Sequence, residues 1–445
     1  MILIRNVLLL AVLAVGGKVG VYAVTFYLIF QTLRRPGQWS VISFLFASLL
    51  VFFNPSLISN APGARELLLL TLLFVCLSKK AKQFDGKKLE LRLYILYGLF
   101  FIASLFGSLY TDMSIIRVCS LAVITFILFK CVAISQNVGF DFERFFVRLT
   151  PVFVLLSFIL IFLPIGYSRQ NGIFSGILVR SQEFSQVLVP LLLIFLFSQK
   201  RKLAYPPWFS YFTILVGVIE LYLASSRVAM AALVIAVIFH FMFSAFWLGK
   251  LSIRRVRLFS ICSVILFVLI LLYQDVLSEK VKSFVMKGAD VDMQNSSLLV
   301  RKSLAIASIE NFKEFPFTGV GFGVQTYFPR QQQVDLVKST KYVPGTDFIY
   351  SRPLEKGNLY LSILEEAGLF VTLYFLFLIF KTLKYFIDKK NALSFAVFIS
   401  FLVNFNGEAN LFAPNGLGNF QLLILVILTC FTNQTLKDNN LHGQK

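Results

Sequence analysis

The sequence predicts an all-α, polytopic transmembrane helix bundle of about 12–14 spans with one large external loop. Three observations carry this. Hydrophobic residues make up 58% of the chain and charged residues 14%, and the mean hydropathy is +0.79, an apolar density that soluble domains do not reach. Apolar runs near the roughly 20 residues needed to cross a bilayer core as helix recur along the whole chain. Lys and Arg, 42 against 22 Asp and Glu, gather in short clusters between those runs, as topology signals do. The formal charge of +20 therefore reads as topology, and no nucleic-acid partner is expected.

The runs lie at about 7–31, 39–54, 64–79, 91–110, 114–134, 147–166, 180–198, 207–223, 226–248, 257–275, 357–381, 391–407 and 417–433. Gly16, Gly17 and Lys18 fall in the middle of the first, which allows a broken or partly re-entrant segment. No small-residue cleavage site precedes a soluble domain there, so the first run is expected to be a retained span. The five cysteines lie in or at the ends of apolar runs without metal-ligand spacing or a pairing pattern, and read as packing residues.

Arg34 and Arg35, KKAKQFDGKK (79–88), Arg144 and Arg148, QKRK (199–202), KLSIRRVR (250–257) and the Lys-rich stretch 381–390 occupy alternate loops. The positive-inside rule makes those loops cytoplasmic and puts the intervening connections outside. The expected organisation is an N-terminal transmembrane bundle (1–275), a large external loop (276–356), C-terminal transmembrane helices (357–433) and a cytoplasmic tail (434–445).

Inside the large loop, LLVRKSLAIASIENF places Leu298, Ala305, Ile309 and Phe312 at helical spacing. This predicts a short amphipathic helix against the membrane surface or the bundle. Pro316 and glycines 319, 321 and 323 end it. The TGVGFG run is neither GxGxxG nor a phosphate-binding loop with a following Lys; a turn bringing backbone close to a helix or a lipid headgroup is the expectation.

The only histidines are His240, at the cytoplasmic end of a span, and His442, in the tail. No external histidine base or zinc site is available from them. Charges beside apolar runs are more informative, because an ionised group at depth is costly unless paired or hydrated. On the external side these are Arg180 and Glu183 in VRSQEFSQVL, Arg227 in ASSRVAM, and Arg301 at the start of the amphipathic helix. Singly, Arg180 or Arg227 reads equally well as an interfacial snorkel. As a set, three guanidiniums could converge on one pyrophosphate, whose oxygens their forks match.

SSRVAMAAL, then VRKSLAIASIENFKEFPFTGVGFG, then GNLYLSILEEAGL at the next span resemble the O-antigen ligase and O-antigen polymerase superfamily in order and spacing. The detailed resemblance covers about residues 180–375. It implies a GT-C-like membrane glycosyltransferase that takes its sugar chain from an undecaprenyl-pyrophosphate-linked donor, with no cofactor and no obligatory metal, in the bacterial inner membrane with its site on the periplasmic side. The family's two arginines map to Arg227 and Arg301. Its ligases carry a His just before the Asn of the closing motif, where this chain has Gly357 ahead of Asn358. That departure favours a polymerase of O-antigen, capsule or exopolysaccharide repeat units over a ligase acting on lipid A-core or protein. Glu355 is the nearest carboxylate and the first candidate for general base, with Glu183 second; Arg180, Glu183, Asn358 and Tyr360 are candidate substrate-binding residues. Membrane lipid, a flippase and a chain-length regulator are the further partners this implies. A transporter of the same lipid-linked sugars is the alternative of another class, though neither inverted repeats nor paired broken helices are evident.

Overall fold

The computed structural model describes residues 17–55, 61–79, 86–108, 111–168, 172–246, 297–323, 358–407, 411–412 and 417–442, with the side chains of residues 202, 297–304 and 431–442 left out. Within them the chain is mostly helical and contains no strand, as the apolar periodicity requires. The helices are α1 (Gly17–Arg34), α2 (Pro36–Leu49), α3 (Ala64–Ser78), α4 (Lys87–Gly107), α5 (Thr111–Asn137), α6 (Phe142–Ile161), α7 (Ser181–Phe197), α8 (Lys200–Ala204), α9 (Pro207–Leu223), α10 (Arg227–Phe246), α11 (Ser297–Glu314), α12 (Leu359–Asp388), α13 (Ala392–Asn404) and α14 (Gly418–His442). Five of them (α4, α5, α6, α10 and α12) are long and apolar enough to cross a membrane, and shorter apolar helices fill the bundle between them. The run at 257–275 lies outside the described residues, and α1 begins at the Gly17 that interrupts the first run.

Local chemistry sets the helix starts. Pro36 and Pro207 open α2 and α9, where the missing N–H costs nothing. Asp141, Asn358 and Asn391 cap α6, α12 and α13 by accepting the N–H three residues on, each satisfying an orphan donor. Within the helices, Ser48, Thr150, Ser185 and Thr213 return their hydroxyls to the carbonyl four residues back, so hydroxyls at depth are not left bare.

α7 and α14 form the centre. Val187–Ile194 and Leu422–Leu428 are almost completely buried, and the two helices are joined by Gln421 Nε2 donating to Gln186 Oε1 at 3.1 Å. Peripheral faces are apolar and exposed, as on α9 with Trp208, Tyr211, Leu215 and Tyr222. That is the arrangement of a bundle whose solvent is lipid. α14 runs unbroken to His442, past the boundary drawn at 433.

Contacts sort the helix ends into two sets. Arg34, Arg35, Arg144 and Arg148 line one groove, and Lys200 bonds Asp141 beside them at 2.7 Å. At this basic end Phe197 also stacks on His240 with ring centroids 3.5 Å apart. The basic loops that alternate in sequence thus share an end where they are described. The opposite end is tied by Val179 N–H to Phe52 O, Asn54 N–H to Ile177 O and Leu359 N–H to Phe405 O.

Candidate functional site

Five sequence candidates, Arg180, Glu183, Arg227, Asn358 and Tyr360, lie at the opposite end. α7 and α10 pack in parallel, because their C-terminal parts meet at Phe197 and His240, so Arg180 before α7 and Arg227 at the start of α10 are on one side. A Cβ on Gly407 would strike Val228, and Phe405 O accepts Leu359 N–H at 2.8 Å. The turn after α13 therefore sits between Arg227 and Asn358.

Arg227 is half-buried and follows a tight turn in which Ser225 holds φ 51°, a left-handed conformation uncommon for a residue with a side chain. Arg180 is exposed, with 53% of its side chain open, and its Nε lies 4.0 Å from Oε1 of the more buried Glu183. Glu183 is in the first turn of α7. Asn358 accepts the Leu361 N–H at 3.1 Å as the α12 cap, and Tyr360 donates its hydroxyl to Leu402 O at 3.2 Å. Both hold the α12 entry in place. Glu355 lies outside the described residues, as does the side chain of Arg301.

The backbone at 301 can still be placed. Ser308 and Asn311 of α11 bond Glu365 of α12, and Pro316 O accepts Leu369 N–H. The pairing advances in the same direction along both helices, so α11 and α12 are parallel here. Stepping back seven residues from Ser308 reaches 301, and seven from Glu365 reaches Asn358, about 10 Å along each helix. The turn of α11 carrying Arg301 thus lies toward the same end of the helix pair as the α12 cap.

The same helix pair contains a polar cluster that the sequence reading passed over. Glu365, 2% exposed, accepts from Ser308 Oγ at 2.7 Å and from Asn311 Nδ2 at 2.9 Å. Glu366 accepts from Ser362 Oγ at 3.0 Å and from the Gly323 backbone N–H at 2.7 Å, and it attracts the charge of Arg117 on α5. The carbonyls of both glutamates take the N–H groups of Val320 and Gly321. TGVGFG is therefore a turn laid against a helix: Gly319, Gly321 and Gly323 all have positive φ, and a Cβ at each would overlap Glu366, Ser108 or Arg117. Next to it Gly368 breaks α12 with φ 77° and ψ −173°. The signal for this cluster was two adjacent acids in an apolar run.

α11 meets the bundle through Ala307 and Ser308, leaving Ile306 and Ile309 exposed. The apolar side expected to mark its contact is thus partly free to face a membrane surface. Glu220 was also missed, although it is an acid inside the apolar run 207–223. It is fully buried in α9, and no group among the described residues hydrogen-bonds its carboxyl oxygens.

The two polar clusters divide the labour. Glu365 and Glu366 are saturated by hydrogen bonds and fix the loop to the bundle, while Arg180 and Arg227 offer cationic groups at the end where that loop is fixed. None of the curated proteins compared matches the chain. Residues 212–376, which contain the Arg227 turn, α10, α11 and the kinked entry of α12, match the family described as O-antigen ligase, and this match supports the resemblance to the O-antigen ligase and polymerase superfamily.

Proposed function

We propose that the protein polymerises polysaccharide repeat units carried on undecaprenyl pyrophosphate, at the periplasmic face of the bacterial inner membrane. The family match supports a glycosyltransferase-like enzyme acting on a lipid-linked glycan. The observation that carries the finer reading is the histidine inventory: position 357 is Gly, and His240 stacks on Phe197 at the basic end, away from Arg227 and Asn358. The acceptor-side histidine that ligases of the family place before the Asn is thus missing.

In this reading Arg227 and Arg301 bind the pyrophosphate of the donor, with Arg180 and Glu183 beside them, and Asn358 and Tyr360 shape the acceptor side. The acceptor hydroxyl oxygen forms a bond to the anomeric carbon as that carbon's bond to the pyrophosphate oxygen breaks. Undecaprenyl pyrophosphate leaves with the bonding pair, its charge met by the guanidiniums. The hydroxyl proton passes to Glu355. A flippase delivers the repeat unit, and a chain-length regulator acts on the same product.

The test uses the full chain in proteoliposomes with a polyprenyl-pyrophosphate-linked repeat unit, with and without lipid A-core. A ladder of lengthened lipid-linked chains supports the polymerase. Transfer to lipid A-core without lengthening overturns it in favour of the ligase, the reading closest to the matched family's description.

A further inference from the structure

A groove of about 670 Å³ opens at the basic end between α1, α2, α6 and α7 and extends toward the opposite end, where Phe53 and Ile177 line it. Its mouth carries Arg34, Arg35, Arg144 and Arg148, and its walls are apolar, formed by residues such as Ile42, Leu45, Val152 and Leu156 and reaching Phe420 of the central α14. On α6 the lining runs from Arg144 to Leu156, about 18 Å along the axis. On α2 it runs from Arg35 to Leu49, about 21 Å, with Phe53 beyond, deeper than one leaflet of a roughly 30 Å hydrocarbon core.

We propose that this groove holds one anionic phospholipid, its phosphate among the four arginines and an acyl chain along α2 and α6. The inference does not depend on the glycosyltransferase reading, since none of that site's candidate residues lines the groove.

Charge selects the headgroup. Asp141 is the one carboxylate in the lining; Lys200 holds it at 2.7 Å, and it also accepts the Arg144 backbone N–H. Among the described residues no ion pair engages Arg34, Arg35, Arg144 or Arg148. Their positive field suits phosphate oxygens and repels the ammonium of a zwitterionic headgroup. Depth selects the tail: a free phosphate would fill the mouth and leave the long apolar slot below it empty. Half-buried Leu149, Val152 and Leu156 line that slot, where an acyl chain completes their packing. Basic pockets between spans on the positively charged side are a recurring form of lipid recognition.

The experiment is native mass spectrometry of the full chain in mild detergent, offered equimolar phosphatidylglycerol and phosphatidylcholine, with glycerol phosphate as a separate arm. The expected result is a single retained phosphatidylglycerol, favoured at least about tenfold over phosphatidylcholine, and no glycerol phosphate adduct. Arg35→Ala/Arg144→Ala/Arg148→Ala should erase the preference. Val152→Trp leaves the arginines in place and should lower retention of the lipid itself; with Arg144→Ala alone it carries the test if the triple variant does not fold. Equal retention of the two lipids by the wild type overturns the proposal. So does glycerol phosphate binding as well as the lipid, or undiminished retention in Val152→Trp.

Discussion

The carboxylate of Glu365 accepts a hydrogen bond from Ser308 Oγ at 2.7 Å, joining α11 to α12. Asn311 supplies a second donor to the same buried group, so removing the carboxylate strands two polar side chains. Glu365→Ala should cost roughly 3 kcal/mol or more, and Ser308→Ala about half as much. The measurement is thermal unfolding of purified protein in detergent; equal midpoints for wild type and Glu365→Ala would show that the helix pair is not held this way.

Gly368 and Gly98 make a matched pair of glycine tests. A Cβ at Gly368 would overlap the backbone at Phe317 and Thr318, and φ is 77° there, whereas Gly98 in the middle of α4 has open space around it. Gly368→Ala should therefore lower the yield of folded protein strongly, since backbone strain and a backbone clash add. Gly98→Ala should be neutral or stabilising by about 0.5–1 kcal/mol. Folded yield by fluorescence-detected gel filtration decides the matter, and a tolerated Gly368→Ala contradicts the kink.

What the sequence discloses and what it hides follow from range. The run 207–223 coincides with α9 because Pro206 and Pro207 open it and the Ser225 turn closes it, all local signals. α12 continues past the apolar limit at 381 because Lys381, Lys384 and Asp388 prolong the helix without hydropathy. The break at Gly368 was not legible, since a glycine in a span is ordinary and the cause is the 316–321 turn, some 50 residues earlier in the chain. The packed side of α11, though not the helix itself, escaped in the same way. That side includes Ser308 and Asn311 because its partner is a carboxylate, so a rule that seeks the apolar face chooses the other one.

Sidedness is tested by reporters. The basic loops share an end in the fold, and the positive-inside rule makes that end cytoplasmic. A periplasm-dependent reporter fused near Gln331 should be active and one fused near Lys82 inactive. Reversal at either position would remove the external site.

Arg227 separates charge from geometry. If its guanidinium forks onto a pyrophosphate, Arg227→Lys keeps the charge and loses the paired donors. Polymer formation should drop roughly 10- to 100-fold at unchanged protein level, consistent with the loss of about 1.5–3 kcal/mol from a charged hydrogen bond. Arg180 is more exposed and lies near Glu183, so Arg180→Lys should cost less than Arg227→Lys in the same assay. Full activity in Arg227→Lys would leave that residue with only an interfacial role.

The general base is the most exposed prediction. Glu183 sits in the first turn of α7 with Oε1 4.0 Å from Arg180 Nε, a placement that suits an ion-pair partner of that arginine. Glu355 is the carboxylate nearest in sequence to the Asn358 cap, and no histidine is available at 357 to compete. Glu355→Gln should therefore abolish chain lengthening while membrane levels and donor binding persist, and Glu183→Gln should lower it only several-fold. The assay is the length distribution of lipid-linked polymer in cells, with the protein quantified in the membrane. A normal distribution in Glu355→Gln would falsify the base assignment, and loss in Glu183→Gln alone would move the role to the α7 end.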